Sequence, residues 1–193
     1  MIKIGITGTI GSGKSVVSKI FETMGISVYN ADYQTKQIMI KNAKIISALK
    51  ERYGDQVYND SQINKAFLAN IIFNNEDERK YVNSIVHPAV INDFIEWTKH
   101  QNEDIVAIES ALIFESGIEN IIDYSVLVTS PFKLAVERIS KRDNISTHEA
   151  ERKIELQTKN LPKDIRADFY IHNDENNSLI VQSVEILSKL RKE

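Results

Sequence analysis

Gly8-Thr9-Ile10-Gly11-Ser12-Gly13-Lys14-Ser15 has the spacing of a phosphate-binding loop, G-x-x-x-x-G-K-[ST]. Glycines at Gly8, Gly11 and Gly13 let the backbone wrap closely, so the N–H groups running through Ser12 to Val16 are expected to point at phosphate oxygens. The positive end of the following helix reinforces that field. Lys14 would reach the β- and γ-phosphates, and the Ser15 hydroxyl would hold Mg²⁺. A dinucleotide loop is the rival reading: Gly11-Ser12-Gly13 begins a G-x-G-x-x-G, and Asp32 lies about where a ribose-binding acid is expected. Val16 occupies the third glycine position, however, and Lys14-Ser15 favours phosphates. Neither a guanine-reading Asn-Lys-x-Asp nor a strand-following Asp-x-x-Gly is present. ATP is therefore the expected nucleotide.

Phosphoryl transfer asks for Mg²⁺, cations around the γ-phosphate and an acceptor held in line. Asp32 follows a short apolar segment and is placed to accept the proton of an acceptor hydroxyl, its plainer role being a helix N-cap. Glu109 ends another apolar segment and is a candidate metal partner, or simply an exposed strand-end acid. Arg138 and Arg142 are four apart and share a helix face, where they would stabilise transition-state charge or merely complement a helix C-terminus. His87, before Pro88, is a candidate substrate contact, or a structural histidine at a helix start.

Those residues need a scaffold. Ile2, Ile4 and Ile6 share one face of a first strand. A helix carrying Val16, Val17, Ile20, Phe21 and Met24 follows, stopped at Gly25. Residues 27–29 make a second strand, and Ile105 to Ile108 and Val126 to Val128 read as strands buried on both faces. A helix is expected over about 131–142. Ser146-Thr147-His148-Glu149 is a capping box opening another through Gln157. Residues 169–171 give a last strand and 179–190 a closing helix. Between Tyr33 and His100 the pattern is helical, with no convincing strand and with Pro88 at the first position of a new helix. The expected fold is α/β, a doubly wound parallel sheet of about five strands of the phosphate-loop NTPase type, with a helical insertion and a short helical lid.

The chain has 193 residues, a net charge of −3, 42% hydrophobic residues and no cysteine. That balance argues against a nucleic-acid or anionic-membrane surface. The missing cysteines exclude disulfides and thiolate zinc sites and agree with a reducing, cytoplasmic setting. No segment is long and apolar enough to read as a membrane span or signal, so a soluble protein is expected.

Taken in order, the motifs resemble those of the dephospho-coenzyme A kinases along essentially the whole chain. Ile6 to Ser15 resembles that family's phosphate loop, Asn30-Ala31-Asp32 its Asp-Ala-Asp, and His87-Pro88 its His-Pro pair. Ser110 to Glu115 is similar to its Pro-Leu-Leu-Phe-Glu segment, Lys141-Arg142-Asp143 to its lid arginine segment, and Ala167-Asp168 through Asn173 to its late Ala-Asp…Asn stretch. The resemblance implies transfer of the ATP γ-phosphate to the ribose 3′-hydroxyl of dephospho-coenzyme A, with Asp32 as base. It adds Asn173 to the nucleotide site and Glu115, with Asp32 and His87, to the substrate site. It further implies a core of residues 1–32, 101–137 and 165–193, an acceptor-binding insertion at 33–100 and a lid at 138–164. The partners implied are ATP and dephospho-coenzyme A alone, with no oligomeric state specified. Asn30, Glu109 and Ala111 depart from the pattern, standing where the family has Asp, Asp and Pro. Two other readings stay open: a nucleoside or nucleoside-monophosphate kinase, and an ATP-gated binding module that transfers nothing.

Overall fold

The structure, a computed structural model, describes residues 1–159 and 166–192; residues 160–164 of the expected lid, and 165 and 193 of the expected core, lie outside the described residues. The chain forms two compact units, one of Met1–Asn30 with His100–Glu193 and one of Ala31–Lys99.

In the first unit, β1 (Ile2–Thr7), β2 (Ser27–Asn30), β5 (Ile105–Glu109), β6 (Tyr124–Thr129) and β7 (Phe169–His172) form a sheet in the order β2-β5-β1-β6-β7. Every pairing in it is parallel. All five residues of β5 are buried, as a parallel strand covered on both faces requires. Phe21 and Val17 of α1 (Lys14–Thr23) join Ile186, Leu187 and Leu190 of α9 (Leu179–Leu190) in one core cluster with Ile4 and Ile6. A second cluster joins α7 (Phe132–Asp143) to α8 (Thr147–Lys159) through Ala135, Val136, Ile139, Ala150 and Ile154. The capping box is formed as expected, with Ser146 N–H donating to Glu149 Oε2 at 3.0 Å and Glu149 N–H donating to Ser146 Oγ at 3.2 Å. The late Ala-Asp pair is structural. Asp168 Oδ2 accepts from Ser125 N–H at 2.8 Å and from Ser125 Oγ at 2.7 Å, stitching the entry of β7 to β6.

The second unit contains α2 (Ala31–Lys41), α3 (Ala43–Tyr53), α4 (Lys65–Asn74) and α5 (Glu76–Thr98). Asn42, Asn64 and Asn75 cap the last three, each side chain accepting backbone N–H groups of the first turn. Arg52 grips Glu78 with two hydrogen bonds of 2.6 and 2.8 Å, binding α3 to α5. Those bonds, with Tyr53, hold the Glu78 carboxyl down to about 2.

Two expectations are corrected here. Pro88 does not open a helix but lies inside the 23-residue α5. Its ring removes one N–H from the ladder, yet Val82, Val86, Val90 and Phe94 continue a buried stripe at four-residue spacing across it, and this burial outweighs the lost bond. A hairpin also interrupts the helices: β3 (Tyr58–Asn59) pairs antiparallel with β4 (Gln62–Ile63). Asp60 and Ser61 turn it with φ of 47 and 65°, the sign a tight primed turn requires. Two-residue strands are too short to show alternation. No helix among the described residues is long and apolar enough to cross a membrane.

Two stability measurements follow from this packing. Ser18 is 4% exposed and its hydroxyl has no hydrogen-bond partner among the described residues, so Ser18→Ala is expected to leave the urea midpoint unchanged or raise it. Asp168 is pushed up by burial but drawn down further by the Ser125 hydroxyl and N–H, a net lowering from 3.8. Its contribution is therefore full above pH 3.8 and lost as the pH falls through the lower folded value. Asp168→Asn is expected to cost about 1 kcal/mol at pH 7, kept small by exposure, with the difference closing in acid unfolding titrations.

Candidate active site

The glycine-rich loop leaves the sheet from its middle strand. Register pairs Ile6 of β1 with Glu109 of β5 on one side and with Val126 of β6 on the other. The ends of β1 and β5 therefore meet beside the middle of β6 where the loop begins, at the reversal of strand order that favours ligand binding.

Within the loop, Ser12 N–H donates to the Thr9 carbonyl at 3.1 Å, closing a turn through Ile10 and Gly11. Gly11 has φ 80°, and a Cβ there would stand 2.8 Å from the Ala135 carbonyl of α7. Gly13, at φ 96°, is the N-cap of α1, and a Cβ on it would collide with the Asn173 amide. Lys14 Nζ lies over the loop, 3.5 Å from the Thr9 carbonyl. The Val16 N–H donates to the Gly13 carbonyl at 3.0 Å, and the Val16 side chain is 52% exposed. Ser12 is fully buried, with no partner for its hydroxyl among the described residues.

Ser15 Oγ donates to Glu109 Oε1 at 2.7 Å, and Glu109 is 6% exposed. Two hard oxygens at that separation suit neighbouring corners of an octahedral Mg²⁺ shell, whose ligands at about 2.1 Å stand about 3 Å apart. The chemistry of the pair fits the ion. Among the described residues no group of three or more His, Cys, Asp or Glu could hold a metal ion.

Asn173, just past β7, is drawn into the loop from the far end of the chain. Its Nδ2 donates to the Ser12 carbonyl at 2.8 Å, while its Oδ1 accepts from Arg138 Nη2 at 3.1 Å. Arg138 Nη1 also reaches Ser130 Oγ at 3.1 Å. Arg138 thus stands behind the loop with its donors engaged. Arg142 has gone elsewhere: Nε donates to Asp143 Oδ1 at 2.8 Å, and its side chain is 60% exposed. Arg142 and then Lys153 hold the Asp143 carboxyl well below its usual range. The shared helix face did not give the two arginines shared partners: Arg138 meets Asn173, Ser130 and Glu175, whereas Arg142 meets Asp143.

Glu115 belongs to the short α6 (Ile113–Ser116), where burial pushes its carboxyl up, opposed by its own backbone N–H and aided by Glu119. Its Oε2 is buried with no partner among the described residues. In the second unit, Asp32 is an exposed acid in the first turn of α2. His87 is half-buried on α5, and burial lowers its pKa from the ordinary imidazole value. A cleft of about 880 Å³ opens between α2, α3 and α5, lined on α2 by Gln34, Gln37, Ile38 and Lys41. At ~100° per residue those positions lie on the face of α2 opposite Asp32, so the cleft opens away from that carboxylate.

One participant escaped the sequence reading. Gln157 Oε1 accepts the Ile10 N–H at 2.7 Å, linking α8 to the loop. A signal for it exists: Gln157 continues the buried Ala150 and Ile154 stripe of α8, where a polar residue needs a partner.

Parallel strands with the loop issuing from the central one define the phosphate-loop NTPase fold. The fold is shared, at 18% identity and a TM-score of 0.55, with shikimate kinase of Bacteroides thetaiotaomicron, covering 100% of this chain and 99% of that one. A family model described as dephospho-CoA kinase matches residues 2–178, and the chain belongs to that family. Among its relatives, the dephospho-CoA kinase of Bacteroides fragilis strain YCH46 is 40% identical over 190 residues, 98% of this chain and 93% of the relative. That of Porphyromonas gingivalis is 37% identical over 193 residues, covering 99% and 95%. The solved dephospho-CoA kinase of Campylobacter jejuni aligns with a TM-score of 0.66 and 25% identity over 98% of this chain and 97% of that one. The chain is thus a transferase that phosphorylates an alcohol, in the family that completes coenzyme A synthesis.

Asn173→Ala removes the donor from a buried loop carbonyl and the acceptor from Arg138. ATP affinity by calorimetry is expected to fall about tenfold, the equivalent of ~1.4 kcal/mol.

Proposed function

We propose that this chain transfers the γ-phosphoryl group of Mg²⁺-ATP to the ribose 3′-hydroxyl of dephospho-coenzyme A, releasing ADP and coenzyme A, in the cytoplasm. Family membership combined with a complete phosphate loop is the observation that carries the reading. The backbone of Gly8 to Ser15 holds the phosphates, with Lys14 bridging toward the transferred group. Val16 acts only through its place in the first turn of α1. Ser15 and Glu109 are the residues that would hold Mg²⁺, which would neutralise phosphate charge when bound. Asp32, two residues beyond the end of β2, takes the proton of the acceptor hydroxyl as the oxygen attacks. Arg138 and Arg142 are the cations for the reacting phosphoryl group, Arg138 on leaving Ser130 and Asn173 and Arg142 on leaving Asp143. His87 and Glu115 orient the acceptor; the buried, unpartnered oxygen of Glu115 supports this, since a hydroxyl or amide of the substrate would satisfy it. Residues 33–100 serve as the acceptor-binding insertion and 138–164 as the lid.

The testing experiment follows ADP and coenzyme A together, with dephospho-coenzyme A, with nucleoside monophosphates, and with no acceptor. Coenzyme A is expected to form in step with ADP, and only when dephospho-coenzyme A is present. Asp32→Ala is expected to lower kcat by about 10²–10⁴-fold while ATP affinity stays within about threefold. Phosphorylation of a nucleotide instead, or an Asp32→Ala enzyme with unchanged kcat, contradicts the reading.

A further inference from the structure

The first half of the phosphate loop is held from outside the loop. The turn closed by Ser12 N–H and the Thr9 carbonyl places Ile10 and Gly11 at its two central positions, and the φ of 80° at Gly11 is that of the third residue of a type II turn. In such a turn the N–H of the second residue, here Ile10, has no partner within the turn itself. That N–H is taken by Gln157 Oε1 at 2.7 Å, from a residue 147 positions away on α8. The Ile10 side chain packs against the cluster that joins α7 to α8, and the Ala135 carbonyl of α7 closes the space beside Gly11. The α7–α8 hairpin therefore grips Ile10 by both its amide and its side chain.

We propose that Gln157 is a positioning residue of the nucleotide site: its carboxamide oxygen fixes the Ile10 N–H and so sets the Thr9–Ser12 turn, making polyphosphate affinity depend on the docked hairpin. A turn with an unpartnered amide at Ile10 has less to hold its peptides in one orientation, and the inward N–H groups after it inherit that freedom. Gln157 needs no contact with the nucleotide to act this way. The inference rests on the loop being the nucleotide site, and it holds for whichever acceptor the enzyme uses.

Gln157→Met keeps the length and apolar stem and removes the acceptor. Three readouts are compared with the parent: hydrogen exchange of the Ile10 amide by NMR, affinity for a non-hydrolysable ATP analogue with Mg²⁺, and steady-state kinetics. Ile10 exchange is expected to quicken by about tenfold, analogue affinity to weaken by about three- to tenfold with KM for ATP rising in parallel, and KM for the acceptor to stay put. Gln157→Glu keeps an oxygen for Ile10 and is read by exchange alone, with protection expected to persist. Unchanged Ile10 exchange in the Met variant overturns the proposal, as does faster exchange with unmoved analogue affinity. Loss of protection in the Glu variant overturns it too, since an acceptor is still offered. Exchange and analogue binding need no acceptor substrate, so an enzyme that failed to phosphorylate dephospho-coenzyme A would leave this test intact.

Discussion

The hydrogen bond from the Asn173 carboxamide to the Ser12 carbonyl is the constraint on which the nucleotide site depends. A loop that turns its N–H groups inward for an anion must turn carbonyls outward, and an outward carbonyl buried without a donor carries the full desolvation penalty. Asn173 removes that penalty, and Arg138 on its oxygen polarises the amide, strengthening the donor end. The same amide occupies the space over Gly13, so the loop and the strand that ends at His172 are shaped against each other. Gly11 plays the corresponding part against α7.

The charge pattern suits a ligand that brings both signs at once. Glu109 is nearly buried beside the loop, and its carboxylate alone would repel a triphosphate; Ser15 partly satisfies it. On the proposed reading a divalent cation arriving with the nucleotide resolves that conflict, and the acid then favours a metal–nucleotide complex over the bare nucleotide. The Glu109 carboxylate stays within 2.7 Å of Ser15 Oγ.

What was legible in the sequence was what is local. The strand, loop and first helix could be read because a dozen consecutive residues encode them, and β5 and β6 because parallel strands covered on both faces show as unbroken apolar runs. The capping box at Ser146 and Glu149 was likewise written in four adjacent residues. What stayed hidden was set through space. Arg138 and Arg142 look equivalent at helical spacing, yet one meets Asn173 and the other its neighbour Asp143. Asn173 was placed near the nucleotide by resemblance, but nothing in the sequence indicated that its amide would be spent on the loop backbone. Gln157 read as one more polar helix residue. Pro88 misled because a proline's local preference for helix starts was outweighed by a buried stripe that only the packed helices reveal.

The wide sequence separation of these contacts bears on how the enzyme comes into being on the ribosome. Residues 2–15 emerge before the rest of this fold and carry the whole phosphate motif, yet β1 has no sheet partner until β5 and β6, about a hundred residues later, are available. The loop gains its backing only with α8 and its brace only with Asn173. Such non-local closure is slow and comes late in folding. Nucleotide competence is thus acquired only once residue 173 has emerged, and a chain cut short of it has the motif without the affinity.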